Sequence, residues 1–382
     1  MAWLRDLAHN PDPLSPAQVD LVERVVSAGL GRQRVVDGEL YYWEDDSGAA
    51  PAESIDLGAA EAAVEALRAA AFATTTIDQT FTQYVSIYQT YVECVRPAIR
   101  AVLRFVEEET LDQRTLLAGS AVQSCQRDQA LWLLGQDPSE EKLSDYQQRF
   151  GMYSPVWDVA VAPDAERPDR VLAMAALWQG RTSPEARRQQ ACIEAIASLS
   201  QLGTTQRGQV ALARRALALA DADDVVFFAA QQRVRSALLR DGDPARLRIP
   251  LRLPSTSRLL NSSLRGVGWG QAYGCARVVR SLLEVPTDLS ADTILIMPTF
   301  LPSHSFLLAI VRGIVVETGG LLSHVAQVAR EYGVPHLVGC HNATAIANGT
   351  NLFLDGSLGS LSCLSTTDAP AALPASASDD SQ

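Results

Sequence analysis

One stretch of the chain, residues 315–339, constrains the fold more than any other. Its sequence is VVETGGLLSHVAQVAREYGVPHLVG. An apolar run ends in a glycine pair, and apolar residues then recur at helical spacing up to a stop signal at Gly333. The pattern predicts a strand, a tight turn and a short helix. His324 is expected at or near the first residue of that helix.

A histidine in this position has a chemical consequence. The backbone N–H groups of a first helical turn lack intrahelical acceptors, and the helix dipole adds partial positive charge, so both favour an anion. A histidine beside these groups can attack a phosphoryl group and carry it, while the backbone stabilises the negative charge. The alternative, from the residues alone, is a histidine that only caps the helix or belongs to the core.

The same stretch resembles the swivelling phosphohistidine domain of the phosphoenolpyruvate (PEP)-utilising enzymes, a family with pyruvate phosphate dikinase, PEP synthase and rifampin phosphotransferase. The resemblance implies an α/β swivelling domain in which His324 takes a phosphoryl group from a nucleotide or PEP and passes it on. The residues that carry the resemblance are Thr318, Gly319, Gly320, Ser323, His324, Ala329, Arg330, Glu331, Gly333, Val334, Pro335, Val338 and Gly339.

The resemblance also implies roles for the neighbours of His324. Arg330 either helps to hold the phosphate or forms a structural ion pair. The family pattern is not complete, because Gly268-Trp269 stand where Ser-Pro is expected and residues 299–301 do not reproduce a Thr-x-Pro loop. The expected phosphate pocket consists of the glycine turn, its flanking hydroxyl groups and the arginine of the helix, namely Thr318, Gly319, Gly320, Ser323 and Arg330.

Composition excludes several classes of function. The net charge of −12 argues against general binding to nucleic acid or to membrane surfaces. No apolar run is long enough for a membrane span, and the first residues lack a secretory signal pattern. The six cysteines are scattered without CxxC spacing, so reduced thiols and no metal site are expected. These features predict a cytoplasmic protein without nucleic-acid or membrane partners.

The basic residues are almost all arginine, since Lys142 is the single lysine. Both the P-loop and the ATP-grasp fold hold ATP phosphates with lysines, and the chain has no GxxxxGK[ST] motif. We therefore expect no tightly bound cofactor. ATP and Mg²⁺ are expected to act through a separate ATP-grasp domain protein as partner.

The patterning predicts an α+β multidomain protein, mainly α-helical in its N-terminal and middle region, with a C-terminal α/β swivelling domain. The helical part loosely resembles that of rifampin phosphotransferase. One helix is expected from 183 to 220, and a kink or a break is expected at Pro97, after which the helix resumes. The expected segments are 1–58, mixed with a hairpin; 59–240, a helical acceptor-binding or docking domain; 241–264, an Arg/Pro-rich linker; 265–364, the phosphohistidine domain; and 365–382, a disordered tail.

Other histidines and aromatic residues have simpler interpretations. His304 is expected in an exposed loop, His336 partly buried in a strand, and His341 at the surface. A tyrosine stripe at helical spacing is interpreted as core, with a ligand cavity between helices as the alternative. It consists of Tyr84, Tyr88 and Tyr91.

Three functions remain open. The first is the phosphohistidine-carrying subunit of a split dikinase-type phosphotransferase, which relays a phosphoryl group from an ATP-grasp partner through His324 to a small-molecule acceptor. The second is a component of an ATP-dependent ligase or condensing system. The third is a non-catalytic regulatory or binding module that kept the fold.

Overall fold

The computed structural model describes most of the chain. Most of the expected linker and the whole expected tail lie outside the described residues. The described residues are 2–5, 13–30, 33–36, 39–44, 56–69, 76–100, 122–219, 221–241, 244–248, 264–281, 283, 286–320 and 323–364.

Helices dominate the chain up to residue 240. Three of the connections in the second half are 3₁₀ helices, Pro302–Ala309, Ala343–Ala345 and Pro244–Leu247. The α-helices are α1 (Pro16–Ser27), α2 (Leu57–Ala69), α3 (Ile77–Thr90, continued by the π-helical Tyr91–Val95), α4 (Gln123–Gln136), α5 (Glu140–Phe150), α6 (Pro168–Ala176), α7 (Pro184–Ser200), α8 (Thr204–Ala218), α9 (Asp221–Asp224, continued by the π-helical Val225–Ala230), α10 (Gln231–Arg240) and α11 (His324–Glu331).

Local sequence explains where several helices begin. Ser15 is extended before α1, and its hydroxyl accepts a hydrogen bond from the backbone N–H of Gln18 at 3.2 Å. Thr76 and Gln79 form a reciprocal capping box at the start of α3. These side chains satisfy N–H groups that the helix itself leaves without acceptors.

Two helix predictions require correction. The segment from 183 to 220 is two helices, because Gly203 is extended (φ −66°, ψ 165°) and starts α8. Pro97 does not break α3: the π-helical turn Tyr91–Val95 precedes it, and residues 96–100 remain helical. A wider turn at this point accommodates a residue that has no N–H to donate.

The strands form two sheets. The small sheet has the order β1-β3-β2, and β2 pairs with β3 antiparallel with Val36 opposite Glu39, the arrangement that the Asp37-Gly38 pattern predicts. The second sheet has the order β4-β11-β10-β6-β7-β8-β9-β5. The strands are β1 (Ala2–Arg5), β2 (Gln33–Val36), β3 (Glu39–Glu44), β4 (Leu264–Arg265), β5 (Val267–Trp269), β6 (Gln271–Val278), β7 (Thr293–Met297), β8 (Gly313–Val316), β9 (His336–Val338), β10 (Asn351–Asp355) and β11 (Ser360–Cys363).

The centre of the second sheet is parallel. Strands β6, β7, β8 and β9 pair parallel, with Ile294 opposite Gly313 and Ile314 opposite His336. The 3₁₀ helix Pro302–Ala309 connects β7 to β8, and α11 connects β8 to β9. The chain is therefore an α+β protein with a helical region followed by a mixed sheet, which confirms the predicted fold class.

The hydrophobic core crosses the junction between the helical region and the sheet. One cluster joins side chains of α4 and α6, such as Leu131 and Met174, to Leu295, Val316 and Val328 of the C-terminal part. A different cluster holds α1, α2, α3, α8 and α10 together. Helices α4–α6 thus share a core with the sheet, and α11 lies at this junction.

Candidate functional site

The site lies where two parallel strands end. Thr318 and the glycine pair follow β8, and the loop of residues 298–301 follows β7. The Thr318 hydroxyl donates to the Pro298 carbonyl oxygen at 3.2 Å and so joins the two loops. The carboxyl ends of neighbouring parallel strands are the usual place for a ligand site in an open α/β sheet.

The turn before α11 requires glycine. Gly319 has φ +105°, and a Cβ atom there would lie 3.1 Å from Ser323 Oγ. Gly320 has open space around it, and its carbonyl oxygen accepts the Ser323 N–H at 2.9 Å. The glycine pair therefore turns the chain from β8 toward α11, with Gly319 close to the side chain of Ser323.

The start of α11 has free hydrogen-bonding capacity. Ser323 is the N-cap residue in extended conformation, but its hydroxyl does not cap the helix, and within the described part of the chain Oγ is buried without a partner. His324 is the first helical residue. The helix begins with the Gln327 N–H donating to the Ser323 carbonyl oxygen at 3.0 Å. The predicted position of His324 behind a glycine turn is the one observed.

The imidazole of His324 lies in apolar surroundings. The residue is half-buried, and the Phe300 ring lies 6.4 Å from the imidazole, centroid to centroid, at an interplanar angle of 26°. Nε2 is enclosed and has no hydrogen-bond partner among the described residues. Burial lowers the pKa of His324 to about 4. The ring is therefore neutral at pH 7, with a nitrogen lone pair available.

Arg330 lies in the last turn of α11. It is buried, and its Nη1 donates to the Ala326 carbonyl oxygen at 3.4 Å. Burial, and to a lesser extent the charge of Arg330, lower the pKa of His336 to about 3. The neighbouring Glu331 pairs with Arg188 of α7 at 3.2 Å. Arg330 thus contacts the interior of the sheet domain.

Two histidines differ from expectation. His304 is only 5% exposed, because the 3₁₀ helix that carries it packs under α4 and α11, and its Nδ1 accepts the Leu301 N–H at 3.1 Å. His336 is fully buried, since β9 is paired on both sides, by β8 and β5. His341 is exposed, as predicted. The stripe interpreted as core, Tyr84, Tyr88 and Tyr91, is buried among helices against Phe227.

A buried polar network, which sequence reasoning missed, joins α4 to the site. Asp128 is fully buried and accepts hydrogen bonds from Ser305 Oγ and Tyr332 Oη, both at 2.7 Å. Arg127 Nη1 donates to the Ser303 carbonyl oxygen at 2.9 Å. Burial raises the pKa of Asp128 to about 6. The consecutive charges Arg127-Asp128 within a helix were the available signal, although they give no indication of these partners.

Comparison with known proteins identifies the C-terminal domain, which is built on the second sheet. Residues 289–359 match the family model described as PEP-utilising enzyme, mobile domain. Residues 289–359 are therefore recognised as a mobile domain of this type. The mobile domain thus contains the glycine turn, His324 and the Phe300 loop, and it is of the phosphohistidine type.

Relatives of the mobile domain are phosphotransferases and synthases. Rifampicin phosphotransferase of Streptomyces sviceus is 41% identical over 100 residues, which is 26% of this chain and 11% of that protein. Chondramide synthase of Chondromyces crocatus is 45% identical over 96 residues, 25% of this chain and 2% of that protein. Prodigiosin synthesizing transferase PigC of Serratia marcescens is 39% identical over 93 residues, 24% of this chain and 10% of that protein.

These matches span about a quarter of this chain and a small part of each relative. A solution NMR structure of a UPF0107 protein aligns with 27% of this chain and 99% of its own, at 15% identity and a TM-score of 0.23.

Within the described ranges, no helix is long and apolar enough to cross a membrane. The same residues contain no group of three or more His, Cys, Asp or Glu side chains arranged to hold a metal ion.

Proposed function

We propose that His324 carries a phosphoryl group in a relay from an ATP-grasp partner to a small-molecule acceptor. The observation that carries the proposal is a histidine at the first position of α11, where the chain enters the helix from a glycine turn at the ends of two parallel strands. The match of residues 289–359 to the mobile domain of PEP-utilising enzymes supports it. The phosphate pocket would be formed by the first-turn N–H groups together with Thr318, Gly319, Gly320 and Ser323.

The chemistry needs no base on the carrier. An imidazole nitrogen donates its lone pair to the phosphorus of the donor, an N–P bond forms, and the bond from phosphorus to the leaving oxygen breaks. Since the ring starts neutral, no proton has to leave before the attack. In the second step the acceptor hydroxyl oxygen attacks phosphorus and its proton leaves to solvent, the N–P bond breaks, and the electron pair of that bond returns to the imidazole nitrogen. The N–H groups of α11 stabilise charge on the phosphoryl oxygens in both steps.

The donor site is proposed to lie in a separate ATP-grasp protein. With Lys142 as its single lysine and no P-loop motif, the chain lacks the groups that commonly hold ATP phosphates. Mg²⁺ would arrive with the nucleotide. ATP is the proposed donor, and PEP is the alternative. The acceptor is proposed to be a small molecule, as the name of rifampicin phosphotransferase indicates for that relative.

A condensation reaction is the second candidate. Two relatives are named as synthesising enzymes, chondramide synthase and prodigiosin synthesizing transferase. In such a reaction the phosphoryl group would activate a carboxylate or hydroxyl group, and phosphate would leave when a second substrate attacks. Retention of the whole segment from Thr318 to Glu331 weighs against a purely non-catalytic module.

Labelling of His324 tests both catalytic functions. The chain is incubated with a candidate ATP-grasp protein and with ATP labelled at the β or the γ phosphate, and separately with labelled PEP. Acid-labile, base-stable label is expected on the wild-type protein. It should be absent in His324→Ala and retained in His341→Ala, which removes an exposed histidine of the same domain. Absence of label with every donor refutes the proposal.

Product analysis separates the two candidates. A labelled small molecule indicates a phosphotransferase. Free labelled phosphate together with a condensed product indicates a ligase.

A further inference from the structure

The loop after β7 places an aromatic ring between two histidines. The Phe300 ring lies nearly parallel to the imidazole of His324, and it meets the ring of His304 edge to face at 5.9 Å and 66°. Phe300 is 7% exposed. Both distances fall in the range in which aromatic pairs attract each other. The ring is therefore held on two sides, one of which is the candidate nucleophile.

Hydrogen bonds fix the loop that carries this ring. His304 Nδ1 accepts the Leu301 N–H at 3.1 Å, and the His304 N–H donates to the Leu301 carbonyl oxygen at 2.9 Å. On the other side of Phe300, the Pro298 carbonyl oxygen accepts the Thr318 hydroxyl. The ring thus stands on a short segment that is anchored at both ends, and one anchor belongs to the glycine turn itself.

Among the described residues, no charged neighbour accounts for the lowered pKa of His324. The elements packed on α11 carry six titratable or charged groups whose side chains are described, namely Glu185, Arg187, Arg188, Cys192, His304 and His336. The lowered pKa of His324 is due to burial alone. Together with the enclosed, unpartnered Nε2, this indicates that apolar cover, rather than a salt bridge or a hydrogen bond, sets the properties of the imidazole.

We propose that Phe300 is a positioning residue that orients the imidazole of His324 and shields Nε2 from water in the resting protein. This inference deepens the proposed function and rests on it for its catalytic consequence. A shielded imidazole stays neutral in mildly acidic solution, so the nucleophile remains available below the pH at which an exposed histidine becomes protonated. Phosphorylation then requires the imidazole and the ring to separate.

NMR titration of histidine-labelled protein tests the shielding directly. His324 is assigned by comparison with His324→Ala. In Phe300→Ala the pKa of His324 is expected to rise from about 4 toward the ordinary value of 6.5, and the rate at which diethyl pyrocarbonate modifies this histidine should rise severalfold. The matched control is Phe353→Ala, which removes a ring stacked on Tyr273 at 4.4 Å in the same domain.

The control variant should change neither value. An unchanged pKa and an unchanged modification rate in Phe300→Ala overturn the inference. Where circular dichroism finds that Phe300→Ala has not folded, Phe300→Leu is titrated in its place, with the same two outcomes but a smaller expected change.

The pH profile of phosphorylation separates this inference from the proposed function. Wild-type labelling should stay constant between pH 8 and pH 6, whereas labelling of Phe300→Ala should fall as the pH drops below 6.5, because protonated imidazole has no lone pair to donate. If the pKa of His324 rises in Phe300→Ala but neither this variant nor the wild type becomes labelled, the phosphoryl relay is refuted and the shielding by Phe300 stands. If Phe300→Ala is labelled normally and the pKa of His324 does not change in it, only the role of Phe300 is refuted.

Discussion

Replacing Tyr332 by Phe tests how the helical region and the mobile domain are held together. The substitution removes one oxygen atom from a buried ring and takes one of two hydroxyl donors away from Asp128. A hydrogen bond to a charged group contributes about 1.5–3 kcal/mol, compared with about 0.5–1.5 kcal/mol for a neutral pair. We expect the variant to lose about 1.5–3 kcal/mol at pH 8, where Asp128 is ionised.

The loss should depend on pH with a definite sign. The folded pKa of Asp128 is about 6, above the ordinary 3.8, so its contribution to stability is fully present below 3.8 and is lost as the pH rises through 6. The hydrogen bond from Tyr332 opposes this shift. Without it the pKa rises further, so the variant should differ less from wild type at pH 5.5, where the carboxyl is largely protonated, than at pH 8.

Urea unfolding at the two pH values, followed by circular dichroism, measures the effect. Amide hydrogen exchange of residues 323–333 should report the loosening locally. The matched control is Tyr41→Phe, whose hydroxyl donates to Glu39 at 3.2 Å in a partly exposed position; it should change stability by less than about 0.5 kcal/mol. Equal losses in both variants, or a larger loss at pH 5.5 than at pH 8, would refute the reasoning.

Two further predictions concern the turn and the network. Gly319→Ala should lower the labelling of the protein, and it should lower the free energy of unfolding in urea by more than about 1 kcal/mol, because φ is positive and the new Cβ would meet Ser323 Oγ. Gly320→Ala, beside open space, should change both much less. Arg127→Met should lower the free energy of unfolding in urea by about 3–5 kcal/mol, since it removes the buried cation beside Asp128 and one of the two arginines paired with Asp164, the other being Arg170. The matched control is Arg149→Met, which removes an exposed arginine and should leave the free energy of unfolding nearly unchanged.

The local frame of the site could be predicted from the sequence. Helical periodicity after a glycine pair specifies a strand, a turn and a helix that begins at His324, and the structure has this order. The signal is local because only glycine adopts the φ of +105° at Gly319 without strain, and because the stop at Gly333 ends the helix. The fold class could also be predicted from the sequence, because the apolar residues change along the chain from the spacing of helices to the pattern of strands that alternate with short helices.

Only the tertiary structure decided what surrounds the histidine. Asp128 meets Ser305 and Tyr332 across 177 and 204 residues of sequence, and no local pattern encodes such pairs. The sequence predicted His304 in an exposed loop. Its burial depends on α4, which packs over the 3₁₀ helix that carries His304, and no local pattern predicts this contact. Phe300 reaches His324 only because β7 and β8 are parallel neighbours that end at the same edge. The sequence by itself therefore determined which histidine follows the glycine turn and begins α11, whereas packing between distant segments determined that its imidazole is covered and lies in apolar surroundings.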